Sequence, residues 1–331
     1  MKATALAGPN IALVKYWGKR DKKLMLPNNG SISMTCEGLH TKTTVEFDDK
    51  YNKDVFILDD KEFTEGKEYD RVVGSLNLIR EKAKLDKKAK VASVNTFPTA
   101  AGLASSASGA AALVLAASKA AGLELDEKAL SMLARRGSGS ASRSVGEGFV
   151  EWRRGEKEDG SDCYAETIAK KDHWPEFHMV VAVISMEQKK VKSRAGMAQT
   201  VANCPYYDKW LATVNNDLDK IREGIKNKDF TTVGQTAEHN CLKMHATMIT
   251  TTPPIVYWTA GTMDVIRAIA VWREEGLESY FTIDAGPQVK IMCLEKDEQE
   301  IVKRLKEIGS VKDIVLCKPG DGARIVDEHL F

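Results

Sequence analysis

The chain has 331 residues, 43% hydrophobic and 29% charged, with a formal net charge of +1. That length exceeds the usual single domain and supplies a core that needs no metal or disulfide staple. Near-neutral charge argues against a general nucleic-acid binder, the lack of an eighteen-residue apolar run argues against a membrane helix, and six scattered cysteines without a C-x-x-C pair read as reduced thiols.

The stretch Ala5-Leu6-Ala7-Gly8-Pro9-Asn10-Ile11-Ala12-Leu13-Val14 opens as a buried strand and runs into Lys15-Tyr16-Trp17-Gly18-Lys19. Two ammonium groups four residues apart, with an aromatic hydroxyl between them, suit a phosphate or carboxylate; the same residues also make a solvated basic turn. Over 31–35 the hydroxyls of Ser31, Ser33 and Thr35 alternate with Ile32 and Met34, the period-two pattern of a strand with its hydroxyls on one face. Strands follow over 41–47 and 54–58, then a helix over 68–84 and a strand over 91–97.

After Pro98 the small residues of 99–109 lead into an alanine-rich helix reaching about residue 121. A helix start leaves backbone N–H groups unpaired, and small side chains let an anion approach them. Ser105 and Ser106 add hydroxyls there. A capped helix packed through its alanine face is the other reading of the same run.

Asp126 caps a helix over 127–136. Arg135-Arg136-Gly137-Ser138-Gly139-Ser140-Ala141-Ser142-Arg143-Ser144 follows, either a second anion site or a turn with exposed arginines. A strand over 148–152, a charged loop over 153–162 and a buried strand over 179–185 come next, and the boundary between two lobes falls near the last of these. Lys189-Lys190-Val191-Lys192-Ser193-Arg194 is a third basic, hydroxyl-bearing cluster, and it opens a helix. Helices over 198–202, 207–226, 230–246 and 262–275 carry apolar residues at helical spacing. Trp210, Met244 and Trp272 read as packing residues, and His239 and His245 as structural, since neither has a partner cluster. Asp284 lies between an aromatic and β-branched run and Ala285-Gly286-Pro287. An aspartate in such a turn either bonds its own backbone or presents a carboxylate to a cleft. A strand over 289–294, a helix over 298–309 and a strand over 314–317 close an α+β pattern.

Together, the 98–108 loop, the opening 10–19 segment, 137–144, 193–197, 244–247 and 280–287 closely resemble the GHMP kinase superfamily, in the form found in diphosphomevalonate decarboxylases. Six ordered motifs spanning nearly the whole chain carry this resemblance. It implies a two-lobed GHMP fold with an N-terminal lobe like ribosomal protein S5 domain 2 (1–184) and a ferredoxin-like C-terminal lobe (185–331), the active site lying in the cleft between them. The implied reaction is ATP-dependent decarboxylation of mevalonate 5-diphosphate to isopentenyl diphosphate through phosphorylation of the tertiary 3-hydroxyl. By the same resemblance Asp284 orients or deprotonates that hydroxyl, and Lys15 lies at the carboxylate and hydroxyl end. Tyr16, Lys19, Ser138, Gly139, Ser140, Arg143, Ser193 and Arg194 hold the substrate diphosphate. Pro98, Ala101, Gly102, Leu103, Ala104, Ser105, Ser106 and Ser108 hold the ATP phosphates, with Lys189 as a further contact. Mg2+ accompanies ATP, held by phosphates and water rather than by a protein metal site.

One segment departs from the family pattern, which has an aliphatic residue, an aromatic residue, then Gly-Gly-Phe. Here the run is Val145-Gly146-Glu147-Gly148-Phe149. A carboxylate beside Arg143 would weaken the hold on a terminal phosphate, so mevalonate 5-phosphate, giving isopentenyl phosphate, is the alternative substrate. A second alternative is a GHMP small-molecule kinase that phosphorylates without decarboxylating. The family implies a homodimer, and the first residues contain no apolar signal segment, so a cytoplasmic enzyme without membrane or nucleic-acid partners is expected.

Overall fold

The computed structural model describes residues 1–96, 105–187 and 189–331. The chain opens with strands β1 (Lys2–Ala7) and β2 (Asn10–Val14), a short hairpin of β3 (Lys19–Asp21) and β4 (Leu26–Pro27), and β5 (Ser31–Thr35). Then come β6 (Thr41–Asp48), β7 (Val55–Leu58), β8 (Lys61–Phe63), helix α1 (Lys67–Ala83) and β9 (Lys88–Asn95). Helices α2 (Ser105–Ala120) and α3 (Glu127–Gly137) lead to a 3-10 turn, Gly139–Ser144, followed by β10 (Phe149–Trp152) and β11 (Ala165–Ala169). The remainder is β12 (Phe177–Val183), α4 (Ser193–Asn203), α5 (Tyr207–Asn227), α6 (Phe230–Ile249), α7 (Ala260–Glu274), β13 (Tyr280–Thr282), β14 (Val289–Leu294), α8 (Glu295–Lys306), β15 (Asp313–Cys317) and β16 (Arg324–Val326).

The strands form three larger sheets, ordered β16-β1-β6-β9-β7-β8, β11-β10-β5-β2 and β13-β14-β12-β15, so the fold is α+β. The first sheet packs on α1, α2 and α3. On α2, Ala107, Ala111, Ala112, Ala116, Ala117 and Ala120 are all buried, so the alanine face does pack closely, as one of the two readings of that run has it. The second and third sheets close on α5 and α6 around a common apolar cluster that includes Leu13, Met34, Phe149, Phe177, Val181, Leu218, Met244 and Met292. This cluster ties β2 and β5 to β12 and β14, and the chemistry-bearing residues gather along its edge. A third cluster lies between the last sheet and α7 and α8.

Local rules account for several element ends. Asp126 accepts a hydrogen bond from the Ala129 N–H at 2.8 Å and starts α3. Asp229 does the same for α6 through Thr232, and Thr259 with Thr262 forms a capping box on α7. The structure shifts two expected helices. α4 begins at Ser193, inside the basic cluster, and α8 runs Glu295–Lys306, because three acidic residues in its first turn favour an early start. No helix among the described residues is long and apolar enough to cross a membrane.

Candidate active site

β2 is buried throughout and delivers Lys15 to the edge of the common cluster. The Lys15 peptide is held on both sides: its N–H donates to Asn240 Oδ1 at 2.8 Å, and its carbonyl accepts from Asn29 Nδ2 at 2.7 Å. Asn240 donates in turn to Asp217 Oδ2 at 2.7 Å, and that oxygen also receives Lys243 Nζ at 2.6 Å. A buried, satisfied chain from α5 and α6 therefore fixes the position of Lys15.

The same helix fixes the segment that carries Asp284. The Ile283 N–H donates to Cys241 Sγ at 3.0 Å, and the Ile283 carbonyl lies 3.2 Å from His245 Nε2. Burial pushes the His245 imidazole down to about 3, so the ring is neutral and serves as a structural donor, in line with its sequence reading. Thr282 Oγ1 donates to the Ala12 carbonyl at 3.3 Å, stitching β13 to β2. Asp284 then sits in the bend after β13. Its Oδ1 is 2.7 Å from Lys15 Nζ and its Oδ2 is 3.3 Å from Lys290 Nζ. Both lysine side chains are 2% exposed, while the Asp284 side chain is 33% exposed. Burial opposes charge on this carboxyl, but the two ammonium groups outweigh it and hold it well below the usual carboxylate range.

Arg143, in the 3-10 turn, is buried. Its Nε donates to Ser33 Oγ at 2.9 Å and Asn10 Oδ1 at 3.2 Å, Nη2 donates to Asn10 Oδ1 at 3.1 Å, and Nη1 donates to Ser31 Oγ. The hydroxyl face of β5 thus meets this turn, as its alternation suggests. Among the described residues Arg143 has no ion-pair partner within 4 Å; burial lowers it to about 10, against Asp284 and Tyr16, and it stays charged at neutral pH. The Glu147 carboxylate faces Lys170 at 4.0 Å, and the carboxylate that acts on Arg143 is that of Asp284. Gly146 is also explained: a Cβ there would lie 2.6 Å from Glu127 Oε1 and 2.7 Å from Thr167 Oγ1.

Tyr16 Oη is buried and, among the described residues, has no hydrogen-bond partner, and burial pushes it well above its ordinary value against the pull of Arg143 and Arg194. Its ring packs edge-on to Trp152 at 4.9 Å. Gly139 starts the 3-10 turn against both rings; a Cβ there would come within 2.9 Å of Tyr16 Oη. A buried hydroxyl with no partner carries a desolvation cost unless a ligand meets it.

Lys19 and Arg194, the latter in the first turn of α4, face Arg71 of α1. Burial first, then Arg194 and Arg71, pull the Lys19 ammonium down to about 8. None of the three has a carboxylate within 4 Å among the described residues; Lys19 is half-buried, and Arg194 and Arg71 are exposed. Ser138 and Ser140 place their hydroxyls 3.4 Å apart near this group, and Arg194 Nη2 donates to the Gly137 carbonyl at 3.4 Å. Lys189 Nζ donates to Ser193 Oγ at 2.8 Å and to the Ala285 carbonyl at 2.6 Å, bracing the Asp284 bend. Ser105 and Ser106 open α2, with Ser106 exposed. Ser108 is buried and bonds Thr41 Oγ1 at 2.7 Å and the Ser105 carbonyl at 3.2 Å, so its hydroxyl is already committed. Pro98, Ala101, Gly102, Leu103 and Ala104 lie outside the described residues.

Sequence reading missed Lys290, Asn240, Asn10 and Arg71. Lys290 had a signal: it is the single charge inside the apolar run Val289–Leu294. Arg71 had none, because nothing in the sequence of α1 links it to Lys19, on which its charge acts.

A mixed α+β fold with a lysine-flanked aspartate and a group of unpaired cations defines an enzyme of the GHMP kinase type. Residues 7–165 match the diphosphomevalonate decarboxylase-like N-terminal domain, and residues 179–326 match the mevalonate 5-diphosphate decarboxylase C-terminal domain. The chain belongs to the diphosphomevalonate decarboxylase family. It is 38% identical to diphosphomevalonate decarboxylase mvd1 of Aspergillus fumigatus, over 93% of this chain and 80% of that protein. The mevalonate diphosphate decarboxylase of Staphylococcus aureus superposes with a TM-score of 0.93 at 39% identity, over 98% of each chain. MDDEF in complex with MVAPP, AMPPCP and magnesium gives 0.92 at 41% identity, over 99% of each.

Proposed function

We propose that this protein catalyses the ATP-dependent decarboxylation of mevalonate 5-diphosphate to isopentenyl diphosphate, releasing ADP, phosphate and CO2. The observation that carries the reading is Asp284, ionised between Lys15 and Lys290, one-third exposed and close enough to Arg143 to act on its charge. Lys19, Arg194, Arg143, Tyr16, Ser138, Gly139, Ser140 and Ser193 hold the diphosphate, with Arg71 added. Ser105, Ser106 and Lys189 hold ATP phosphates with the 98–104 segment.

Asp284 acts on the 3-hydroxyl. A carboxylate held so far below neutrality is a weak base, so its work is to accept the hydroxyl hydrogen bond and aim the oxygen at the γ-phosphorus. In a loose phosphoryl-transfer transition state such orientation suffices, because the proton leaves late. The oxygen–phosphorus bond forms as the bond to ADP breaks, and the hydroxyl proton passes to solvent. The C3–O bond then breaks with its electron pair on the departing phosphate. The C–C bond to the carboxylate supplies the pair of the new double bond, and CO2 leaves. Asp284 faces the positive charge that develops at C3, and Lys15 stays paired with it.

The hard oxygen donors at the start of α2, Ser105 and Ser106, fit a Mg2+ carried mainly by phosphates and water. When bound, the ion neutralises phosphate charge.

Glu147 turned to Lys170 favours the diphosphate over the monophosphate substrate. The test is kcat/KM for mevalonate 5-diphosphate against mevalonate 5-phosphate, with ADP and CO2 measured together. ADP release without CO2 would mean a kinase. We place the lobe division at 184/185 and the enzyme in the cytoplasm as a homodimer. The cytoplasmic reading is supported by six free cysteines, five of them buried.

A further inference from the structure

Lys290 is a buried ammonium on β14, paired in register with Thr282 of β13 and Val181 of β12. Burying an ammonium is costly, and an apolar residue of similar volume would fill the site at least as well. Its recorded ion pair is Asp284 Oδ2 at 3.3 Å, opposite Lys15 on Oδ1 at 2.7 Å. One carboxylate thus faces two ammonium groups, each claiming one oxygen, and this fixes the plane of the carboxylate as a single contact could not. We propose that Lys290 is a positioning residue for the reaction: it locks the Asp284 carboxylate, ionised and in one orientation, for the 3-hydroxyl of the substrate. The inference rests on the decarboxylase reading for its substrate, but not for the state of the carboxyl.

The ionisable groups facing Asp284 are Lys15 from β2, Lys290 from β14, Lys189 from the segment before α4, Arg143 from the 3-10 turn, Cys241 and His245 from α6, and Cys36 after β5. A hydrogen bond with Cys317, then burial, keeps the Cys36 thiol neutral, and burial does so for Cys241 and His245, so the charged neighbours are the three lysines and Arg143. Removing Lys290 therefore takes away one of two direct counter-charges and leaves Asp284 paired with Lys15.

The experiment titrates the Asp284 carboxyl by carbon NMR in the ligand-free full chain labelled at aspartate carboxyls, with D284N identifying the signal. In parallel, kcat and KM for mevalonate 5-diphosphate are measured across pH. In the parent the carboxyl stays ionised to the lowest pH at which the chain is folded. In K290M the carboxyl takes up its proton within the pH range in which the chain is folded. There kcat falls at least about tenfold, KM stays within about threefold, and the acid limb of the kcat profile moves to higher pH. K290R retains the charge and restores the midpoint, with kcat still reduced because a fork does not reproduce a single Nζ. A K290M carboxyl that titrates as in the parent overturns the proposal, and so does a K290M kcat equal to the parent's. If K290M does not fold, K290R decides: a low midpoint with kcat down about fivefold or more supports the proposal, and a parent-like kcat overturns it. A parent that releases no CO2 refutes the decarboxylase reading alone, and the carboxyl midpoint still decides the role of Lys290.

Discussion

Lys15 Nζ and Asp284 Oδ1 meet at 2.7 Å across 269 residues of chain. Neither residue reaches the other by local structure. β2 brings the lysine and the bend after β13 brings the aspartate, and α6 grips both backbones, through Asn240 on one side and Cys241 and His245 on the other. Substitution of Asp284 follows directly from this geometry. D284A leaves two buried ammonium groups without their carboxylate and removes the acceptor for the 3-hydroxyl. We expect kcat to fall by about three orders of magnitude with KM for mevalonate 5-diphosphate changed only a fewfold, since the contact matters most in the transition state. Steady-state kinetics check it; a large rise in KM with kcat intact would reduce Asp284 to a binding group.

Asn240, fully buried on α6, supports Lys15 through its backbone. N240A removes the acceptor of the Lys15 N–H and the donor to Asp217, leaving buried groups unsatisfied. Such a loss costs about 1–3 kcal/mol of stability. Thermal unfolding should show a lowered midpoint together with a reduced kcat. A lowered midpoint with kcat unchanged would mean that α6 serves the fold only.

Several of these features were legible in the sequence. The Ser31-Ser33-Thr35 alternation did face one side, and it meets Arg143 and its turn. The Asp126 cap starts α3, and Lys15, Asp284 and Arg143 come together, as the family resemblance and not the separate runs implied. Lys290 looked like an ordinary charged interruption of a strand until the pairing Thr282↔Lys290 set it beside the Asp284 bend. Arg71 and Asn240 lie on amphipathic helices, where a polar residue is the expected occupant of a solvent face. Only the packing of whole helices turns Asn240 inward, while Arg71 stays exposed and acts on Lys19 and Arg194 through its charge.

Arg143 should act mainly through binding. Its guanidinium is buried, has no ion-pair partner within 4 Å among the described residues, and is held by Asn10, Ser31 and Ser33. R143A should raise KM for mevalonate 5-diphosphate at least about tenfold. R143K should not restore it, since an ammonium cannot reproduce the fork. An unchanged KM in R143A would remove this residue from the substrate site.

Lys19 sets a pH dependence. Its ammonium is lowered to about 8 by burial and by Arg194 and Arg71, so in the free enzyme it loses its proton as pH rises through that value. On the proposed role of Lys19 in holding the diphosphate, its protonated form is the one that binds, so 1/KM should fall above about pH 8. R71A removes one of the cations that lower it, so the Lys19 value rises and the limb moves to higher pH, while affinity at neutral pH drops. K19R, charged throughout, should abolish the limb. A limb that persists in K19R would belong to another group.

Glu147 provides the last test, because it separates the sequence expectation from the structure. A carboxylate acting on the Arg143 site would repel a terminal phosphate, and E147A would then raise the preference for mevalonate 5-diphosphate over mevalonate 5-phosphate. The structure turns Glu147 toward Lys170 at 4.0 Å, in an exposed pair that contributes about 0–1 kcal/mol. E147A should therefore leave the ratio of kcat/KM for the two substrates within about twofold of the parent, a change in differential binding of less than about 0.5 kcal/mol. Gly146 is the contrasting position. G146A forces a Cβ toward Glu127 Oε1 and Thr167 Oγ1, and overpacking of this kind costs about 1–3 kcal/mol. It should lower the unfolding midpoint while leaving the same substrate ratio unchanged. A tenfold shift in that ratio for E147A would return Glu147 to the phosphate site and make the monophosphate the substrate to test next.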